Sequence, residues 1–281
     1  MRPTRSRDVE MKKVLIYVFC ALALLAIGLL VGSRLGGKTG SVSRKIHVQE
    51  KQNPPVVLNK DNFPDPNFRD TLCRMLSFTE GDTIPFKVLS SVEELRLRDL
   101  GIRNLKGVEL FSSLTQLDCS GNLLQEIDVS KNLALKRLEC ARNQLSHLDV
   151  THNVKLEGLG CSKNNLRSIN VSNNPNLQSL LCNGNLIGTI DVSKNPKLQE
   201  LGVNDCDLNV LNVSNNTLLE NLYCSGNKFA ELDLRSNTKM KNLYCKQPFL
   251  KHIKVLCPAN NPELGKGTVY WGDELTLIWF N

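Results

Sequence analysis

The sequence has few of the residues and motifs that usually carry catalysis or cofactor binding. Only 4 of its 281 residues are histidine, and aromatic residues make up 5%. It contains no G-x-G-x-x-G loop, no phosphate-binding P-loop and no H-E-x-x-H metal motif. No histidine lies beside a serine or cysteine in a recognisable nucleophile motif. We therefore predict that the protein is not an enzyme and that it needs neither a cofactor nor a metal.

The sequence also has few cysteines for its length, and residues 46–281 have no excess of basic residues. Ten cysteines in 281 residues are too sparse for a small disulfide scaffold, and none form a C-x-x-C pair. The net charge of +7 comes entirely from residues 1–45, which hold nine Lys or Arg and two Asp or Glu and leave 26 of each sign in residues 46–281. The main body of the chain therefore has no basic excess for binding a nucleic acid.

Residues 14–33 form an uncharged and mostly apolar segment. Twenty residues at about 1.5 Å per residue span about 30 Å, the thickness of the hydrocarbon core of a bilayer. The denser basic cluster precedes the segment, so the positive-inside rule places residues 1–13 in the cytoplasm and the rest outside. The sequence predicts a single-pass anchor with a periplasmic or extracellular body. The alternative is a secreted protein whose signal peptide is cleaved near Ser33.

Two segments lie between this span and the main body. Residues 34–60 have the glycine, proline and polar composition of a linker. Residues 61–91 are interpreted as an N-terminal cap, with Asp65 as the N-cap of a short amphipathic helix over about 66–77. That helix would cover the end of the core that follows.

Residues 92–255 repeat with a period of 21. The unit is L-x-x-L-x-C-x-x-N-x-L-x-x-L-D-V-S-x-N-x-x. Its first half alternates as a short strand does, and strands repeated at a constant interval stack in parallel. Cysteine recurs at Cys119, Cys140, Cys161, Cys182, Cys224 and Cys245, and asparagine recurs at Asn122, Asn143, Asn164, Asn185 and Asn227. We expect the asparagines to face inward and to pair with backbone groups at the turn.

This unit resembles a leucine-rich repeat, and it is most similar to the cysteine-ladder branch of the bacterial internalin-like proteins. The Phe-Pro-Asp-x-x-Phe-Arg segment at 63–69 also resembles the cap that precedes many such arrays. The resemblance implies a curved right-handed solenoid with a parallel sheet on its concave face, and a role in recognition. It does not imply a particular ligand.

The cysteine column could carry chemistry or could simply be packed. Stacked neighbours would have Cα atoms about 4.8 Å apart, a distance that a disulfide tolerates. Parallel side chains fit a disulfide poorly, however, and Val203 takes the same slot. We predict buried thiols that pack as small hydrophobes, with disulfides between some neighbours as the alternative. Cys206 replaces asparagine in the neighbouring column.

Aspartate recurs at Asp128, Asp149, Asp191 and Asp233, with Asn170 and Asn212 in the same column. A metal site or an acid–base site would need the carboxylate at each position. Because asparagine replaces aspartate in two repeats, we predict that this column caps loops.

The outward strand positions form the concave face, which the sequence divides into three zones. The first zone is charged (Arg96, Arg98, Asp118, Arg137 and Glu139), the second is small and flat (Gly158, Gly160, Ser162 and Gly202), and the third is aromatic (Tyr223 and Tyr244, beside Asn221 and Asn242). Exposed tyrosines in register favour ligand contact. Alternatively, they shield the sheet or meet the C-terminal cap. The candidate ligand-binding residues are Tyr223, Tyr244, Asn221, Asn242, Arg137, Glu139 and Asp118.

Residues 256–281 abandon the spacing of the repeats. Residues 268–271 and 275–280 have the composition of strands and are joined by Gly272, Asp273 and Glu274. We interpret this tail as a β-type C-terminal cap, and the alternative is an exposed edge that pairs with another chain.

Together these features predict an exported, membrane-anchored solenoid that recognises a protein or glycan partner at a bacterial envelope. The alternative is a structural spacer or assembly module of an envelope complex without a soluble ligand.

Overall fold

The first apolar column of the repeat builds one long parallel sheet. Each leucine of this column is the centre of a three-residue strand and points into the core, while its two neighbours face outward. The strands are β3 (Glu94–Arg96), β4 (Gln116–Asp118), β5 (Arg137–Glu139), β6 (Gly158–Gly160), β7 (Ser179–Leu181), β8 (Glu200–Gly202), β9 (Asn221–Tyr223) and β11 (Asn242–Tyr244). Each pairs in parallel with its neighbour, and Leu95, Leu117 and the later leucines lie opposite one another. The fold is therefore a leucine-rich-repeat solenoid.

The computed structural model describes residues 54–246, 250–256, 269–270 and 276–280, with side chains as far as residue 254. The predicted tail 1–13, the predicted span 14–33 and linker residues 34–53 lie outside the described residues. In the part of the chain that is described, no helix is both long enough and apolar enough to cross a bilayer.

The segment before the repeats contains the predicted amphipathic helix. In order along the chain come β1 (Val56–Val57), α1 (Pro66–Leu76), β2 (Thr83–Ile84) and α2 (Phe86–Ser90), with β1 antiparallel to β2. Asp65 is the N-cap of α1, because its Oδ1 accepts from the backbone N–H groups of Asn67 and Phe68, both at 3.0 Å. Its Oδ2 accepts from the N–H of Arg103 at 2.7 Å. One carboxylate thus starts the helix and ties it to the first repeat.

The back of the solenoid is mostly turns. A short 3-10 helix, Val108–Leu110, occurs in the first, looser unit, and the later Asp-Val-Ser-x-Asn segments are turn-like, as predicted. Near the C-terminal end this strip becomes a second sheet of three parallel strands: β10 (Glu231–Asp233), β12 (His252–Leu256) and β14 (Thr276–Phe280).

The tail leaves the spacing of the repeats, as predicted, but its strands continue the parallel pairing. Strand β13 (Val269–Tyr270) pairs in parallel with β11, so that Leu243 lies opposite Val269. Strand β14 pairs in parallel with β12, and Ile253 lies opposite Leu277. Only the spacing changes: both steps along the chain exceed the repeat period, because longer connections are compatible with the same parallel register. The closing role predicted for residues 61–91 and 256–281 stays a prediction.

Two asparagine ladders run through the interior. The first ladder is the predicted one, and Asn143 is typical: its Nδ2 donates to the carbonyls of Cys119 and Cys140, and its Oδ1 accepts from the N–H of Leu124, all at 3.0 Å. The second ladder was not predicted, although it has the same period. It consists of Asn132, Asn153, Asn174, Asn195, Asn216 and Asn237, each fully buried.

A candidate recognition surface on the concave face

Tyr223 and Tyr244 stack against each other on the outer face of β9 and β11. Their ring centroids lie 5.1 Å apart and their planes differ by 18°. The strand pairing explains the stack, because these two residues lie directly opposite each other. Both side chains are partly exposed. The pKa of Tyr223 is raised by partial burial and by the nearby Glu200 and Tyr244.

Polar ladders flank the tyrosine pair on both sides. On one side Asn242 Nδ2 donates to Asn221 Oδ1 at 2.7 Å. On the other side the N–H of Asn204 donates to Asn183 Oδ1 at 2.8 Å, and the N–H of Ser225 donates to Asn204 Oδ1 at 2.7 Å. These bonds hold the amides in line with the strands, so the aromatic zone is an ordered surface rather than a set of free side chains.

The strand register extends the tyrosine column into the tail. Tyr270 of β13 lies opposite Tyr244. The sequence prediction missed this relation because it searched only at the repeat period, and the step here is longer. A search for tyrosine flanked by an apolar strand residue, without a fixed spacing, would have found it.

The small, flat zone in the middle is partly covered by side chains of neighbouring repeats. Gly158, Gly160 and Gly202 are buried. A Cβ added to Gly160 would overlap Glu139 Oε2, and one added to Gly202 would lie 2.8 Å from Leu181 Cδ2. Because these glycines have no Cβ, a longer side chain from the preceding repeat packs directly over each of them. The glycines therefore leave the space that these side chains occupy on the sheet.

The charged zone is largely paired. Arg137 Nη1 lies 3.8 Å from Glu139 Oε1, and Asp118 Oδ1 accepts from the N–H of Ser120 at 3.0 Å. Burial against Gly160 raises the pKa of Glu139, which Arg137 partly offsets and the nearby Asp118 reinforces. Arg142 Nη2 lies 3.0 Å from Asp99 Oδ1. Exposed pairs of this kind contribute little stability.

A shallow recess lies along the edge of this surface. It has a volume of about 250 Å³ and lies between the charged and aromatic zones, lined in part by Arg137, Glu157, Ser179, Glu200 and Asn221. Ser179 Oγ donates to Glu200 Oε2 at 2.7 Å within it. The recess is polar and open, unlike an enclosed apolar pocket for a small molecule.

The cysteine column is packed as predicted. The six ladder cysteines are at most 1% exposed, and they are free thiols, as are Cys73 and Cys206. Burial raises the pKa of the Cys161 thiol to about 12 and that of Cys245 to about 12. The described structure thus favours packing over the alternative of disulfides between ladder neighbours.

The aspartate column caps loops as predicted. Asp128 Oδ1 accepts from the N–H of Ser130 at 2.8 Å, and Asn170 Oδ1 makes the same bond to Ser172 at 3.1 Å. Such bonds from Ser130 and Ser193 lower the pKa of Asp128 and Asp191. Over the residues whose side chains are described, no group of three or more His, Cys, Asp or Glu is placed to hold a metal ion.

In comparison with solved structures, the chain is similar to bacterial leucine-rich repeat proteins. The functional domain of InlJ from Listeria monocytogenes, which includes a cysteine ladder, is 26% identical, with a TM-score of 0.61 over 82% of this chain and 62% of that one. Internalin C2 from the same organism is 19% identical (TM-score 0.63; 80% and 98%). A leucine-rich repeat protein of Leptospira interrogans is 18% identical (TM-score 0.53; 70% and 67%).

The chain spans less than two thirds of the InlJ domain, and the two lower identities bear on the fold alone. No protein-family model matches the chain, and no curated protein matches it. The predicted similarity to internalin-like proteins with a cysteine ladder is confirmed.

Proposed function

We propose that this internalin-like solenoid binds a protein partner through its concave face, with Tyr223 and Tyr244 at the centre of the contact. The observation that carries the proposal is the ordered tyrosine stack, flanked by amide ladders on a rigid sheet. Tyrosine gives a large contact area at a low cost in side-chain entropy, and it is enriched where binding energy concentrates.

The remaining candidate residues would orient the partner. Arg137, Glu139 and Asp118 lie on the same face, several repeats from the tyrosines. Paired charges there would favour one orientation through complementary potential more than they would increase affinity. We further propose that residues 14–33 anchor the protein in the membrane and that the solenoid acts at the bacterial envelope.

The proposal is tested with a photo-reactive amino acid in the full anchored chain, in its own cells. At position 223 we expect a covalent adduct with one protein partner. At Lys194, an exposed position away from the concave strands, we expect none. Equal labelling at both positions would contradict the proposal. Labelling of glycan alone would show that the partner is a glycan and not a protein.

The captured partner is then measured against a purified Y223A/Y244A double variant. We expect the double variant to lose about 2 kcal/mol of binding free energy, which corresponds to a roughly 30-fold weaker affinity. A variant that keeps both its melting temperature and its affinity would exclude the tyrosines. Losses confined to variants of the tail, the linker or the anchor would favour a structural spacer instead.

A further inference from the structure

One repeat departs from both interior patterns at once, and the departure brings two thiols together. Cys206 stands where the first ladder has asparagine, and Val203 stands where the cysteine column continues in its neighbours. Cys206 Sγ lies 3.2 Å from the carbonyl oxygen of Cys182, the position that a ladder Nδ2 takes in other repeats. The substitution therefore points a thiol toward the cysteine column from the turn of the following repeat.

The Cys206 thiol therefore lies directly against Cys182, and both residues are 0% exposed. Cys182 Sγ is also 3.4 Å from the carbonyl oxygen of Gly202. Neighbours within the cysteine column project in parallel from paired strands, whereas Cys206 reaches Cys182 from a turn in the next repeat. The directional objection to a disulfide within the column does not apply to this pair.

We propose that Cys182 and Cys206 are an oxidation site, where a small peroxide converts the two thiols into a disulfide that links the turn after β8 to β7. The rest of the cysteine column would stay reduced under the same conditions.

The chemistry assigns different roles to the two sulfurs. The Cys182 thiol, followed by the backbone N–H groups of Asn185 and Gly184, lowers the pKa of Cys206, while the pKa of Cys182 is raised. Cys206 is accordingly the nucleophile. Its thiolate attacks one oxygen of hydrogen peroxide, forming a sulfenic acid and releasing hydroxide. Cys182 sulfur then attacks Cys206 sulfur. The S–S bond forms, and the S–O bond breaks with loss of water, so two thiols and one peroxide give one disulfide and two waters.

The chain itself supplies matched variants that should fold. Cys206→Asn restores the ladder residue, and Cys182→Val introduces the residue that already occupies this slot at position 203. Cys161→Val makes the same change one repeat earlier and leaves the proposed pair intact.

The test treats the folded full-length protein with hydrogen peroxide, blocks the remaining thiols, and maps the cross-linked peptides by mass spectrometry. Circular dichroism checks that the fold is retained. We expect a peptide linking 182 to 206, lighter by two hydrogens, in the wild type and in C161V, and none in C206N or C182V. The oxidised wild type should also unfold at higher denaturant than the reduced form, because the disulfide closes a loop.

Three results would overturn the proposal. One is a link between Cys182 and Cys161. Another is a folded protein in which Cys182 and Cys206 stay reduced while ladder thiols oxidise at the same peroxide concentration. The third is a 182–206 link that forms only in denaturant.

Discussion

The two asparagine ladders use the same residue, at the same period, in different ways. In the first ladder each amide is used at both ends: Asn164 Nδ2 donates to Cys140 and Cys161 carbonyls, and its Oδ1 accepts from Leu145. In the second ladder Asn174 Nδ2 donates to the carbonyls of Val150 and Asn153, and its buried Oδ1 accepts no hydrogen bond from the described residues.

The ladder with more hydrogen bonds is the one that accepts a substitute. Cys206 replaces asparagine in the first ladder, whereas all six positions of the second ladder are asparagine. A thiol has one proton, enough for one carbonyl. In the second ladder both amide protons reach carbonyls of the preceding repeat, which a thiol could not satisfy. The number of carbonyls that the side chain bonds in the preceding repeat, and not its total number of hydrogen bonds, therefore decides which residue is tolerated.

The largest effect is expected at Asn164→Ala. This change leaves the buried N–H of Leu145 without its partner, at a cost of about 1–3 kcal/mol, and it removes one of the two amide donors to each of the Cys140 and Cys161 carbonyls. We expect a loss of roughly 3 kcal/mol or more in the free energy of unfolding, measured by urea titration. A loss below that of Asn174→Ala would reverse the comparison between the ladders.

Asn174→Ala is expected to be the next most damaging change. It removes one donor from each of the Val150 and Asn153 carbonyls, which keep a backbone donor, and it also removes the unpaired Oδ1, so roughly 1–3 kcal/mol should be lost. The sharper comparison uses cysteine: Asn164→Cys should be milder than Asn164→Ala, whereas Asn174→Cys should be close to Asn174→Ala. Equal rescue by cysteine in both ladders would show that the number of protons is not what matters.

Cys206→Asn should have a small stabilising effect on the reduced protein. The amide regains a second donor, and a typical net hydrogen bond contributes about 0.5–1.5 kcal/mol. A rise in the urea midpoint at unchanged slope is the expected result. No change, or a loss, would show that the turn around position 206 has adapted to the thiol.

The smallest effect is expected on stability at acid pH. It distinguishes the neutral asparagine ladders from the aspartate column, whose carboxylates titrate. The ladder amides do not titrate, but the folded state lowers the pKa of Asp149 through its bonds from Thr151. This contribution is complete above the ordinary aspartate pKa and is lost as pH falls through the lowered value. Asp149→Asn should therefore flatten the decline in stability below about pH 4. An unchanged profile would remove Asp149 from the acid response.

The period of 21 was enough to predict which side chains point inward, the parallel sheet, the first ladder and the loop-capping aspartates. It also contained the second ladder, which was visible but not used. It could not show that Glu139 lies over Gly160 or Leu181 over Gly202, because this depends on how side chains from neighbouring repeats settle against each other. The tail strands were located correctly, but their partners were not, because the spacing lengthens after the last regular repeat.

The in-register sheet also sets a constant spacing between the side chains along its concave face. Successive concave side chains of one column, such as Tyr223 and Tyr244, follow the strand spacing of about 4.8 Å. An extended peptide laid along the same axis presents a side chain to the sheet only about every 7 Å, because alternate residues point away. The two scales fall out of step within a few repeats. A linear peptide would therefore match the side-chain columns over only a few repeats.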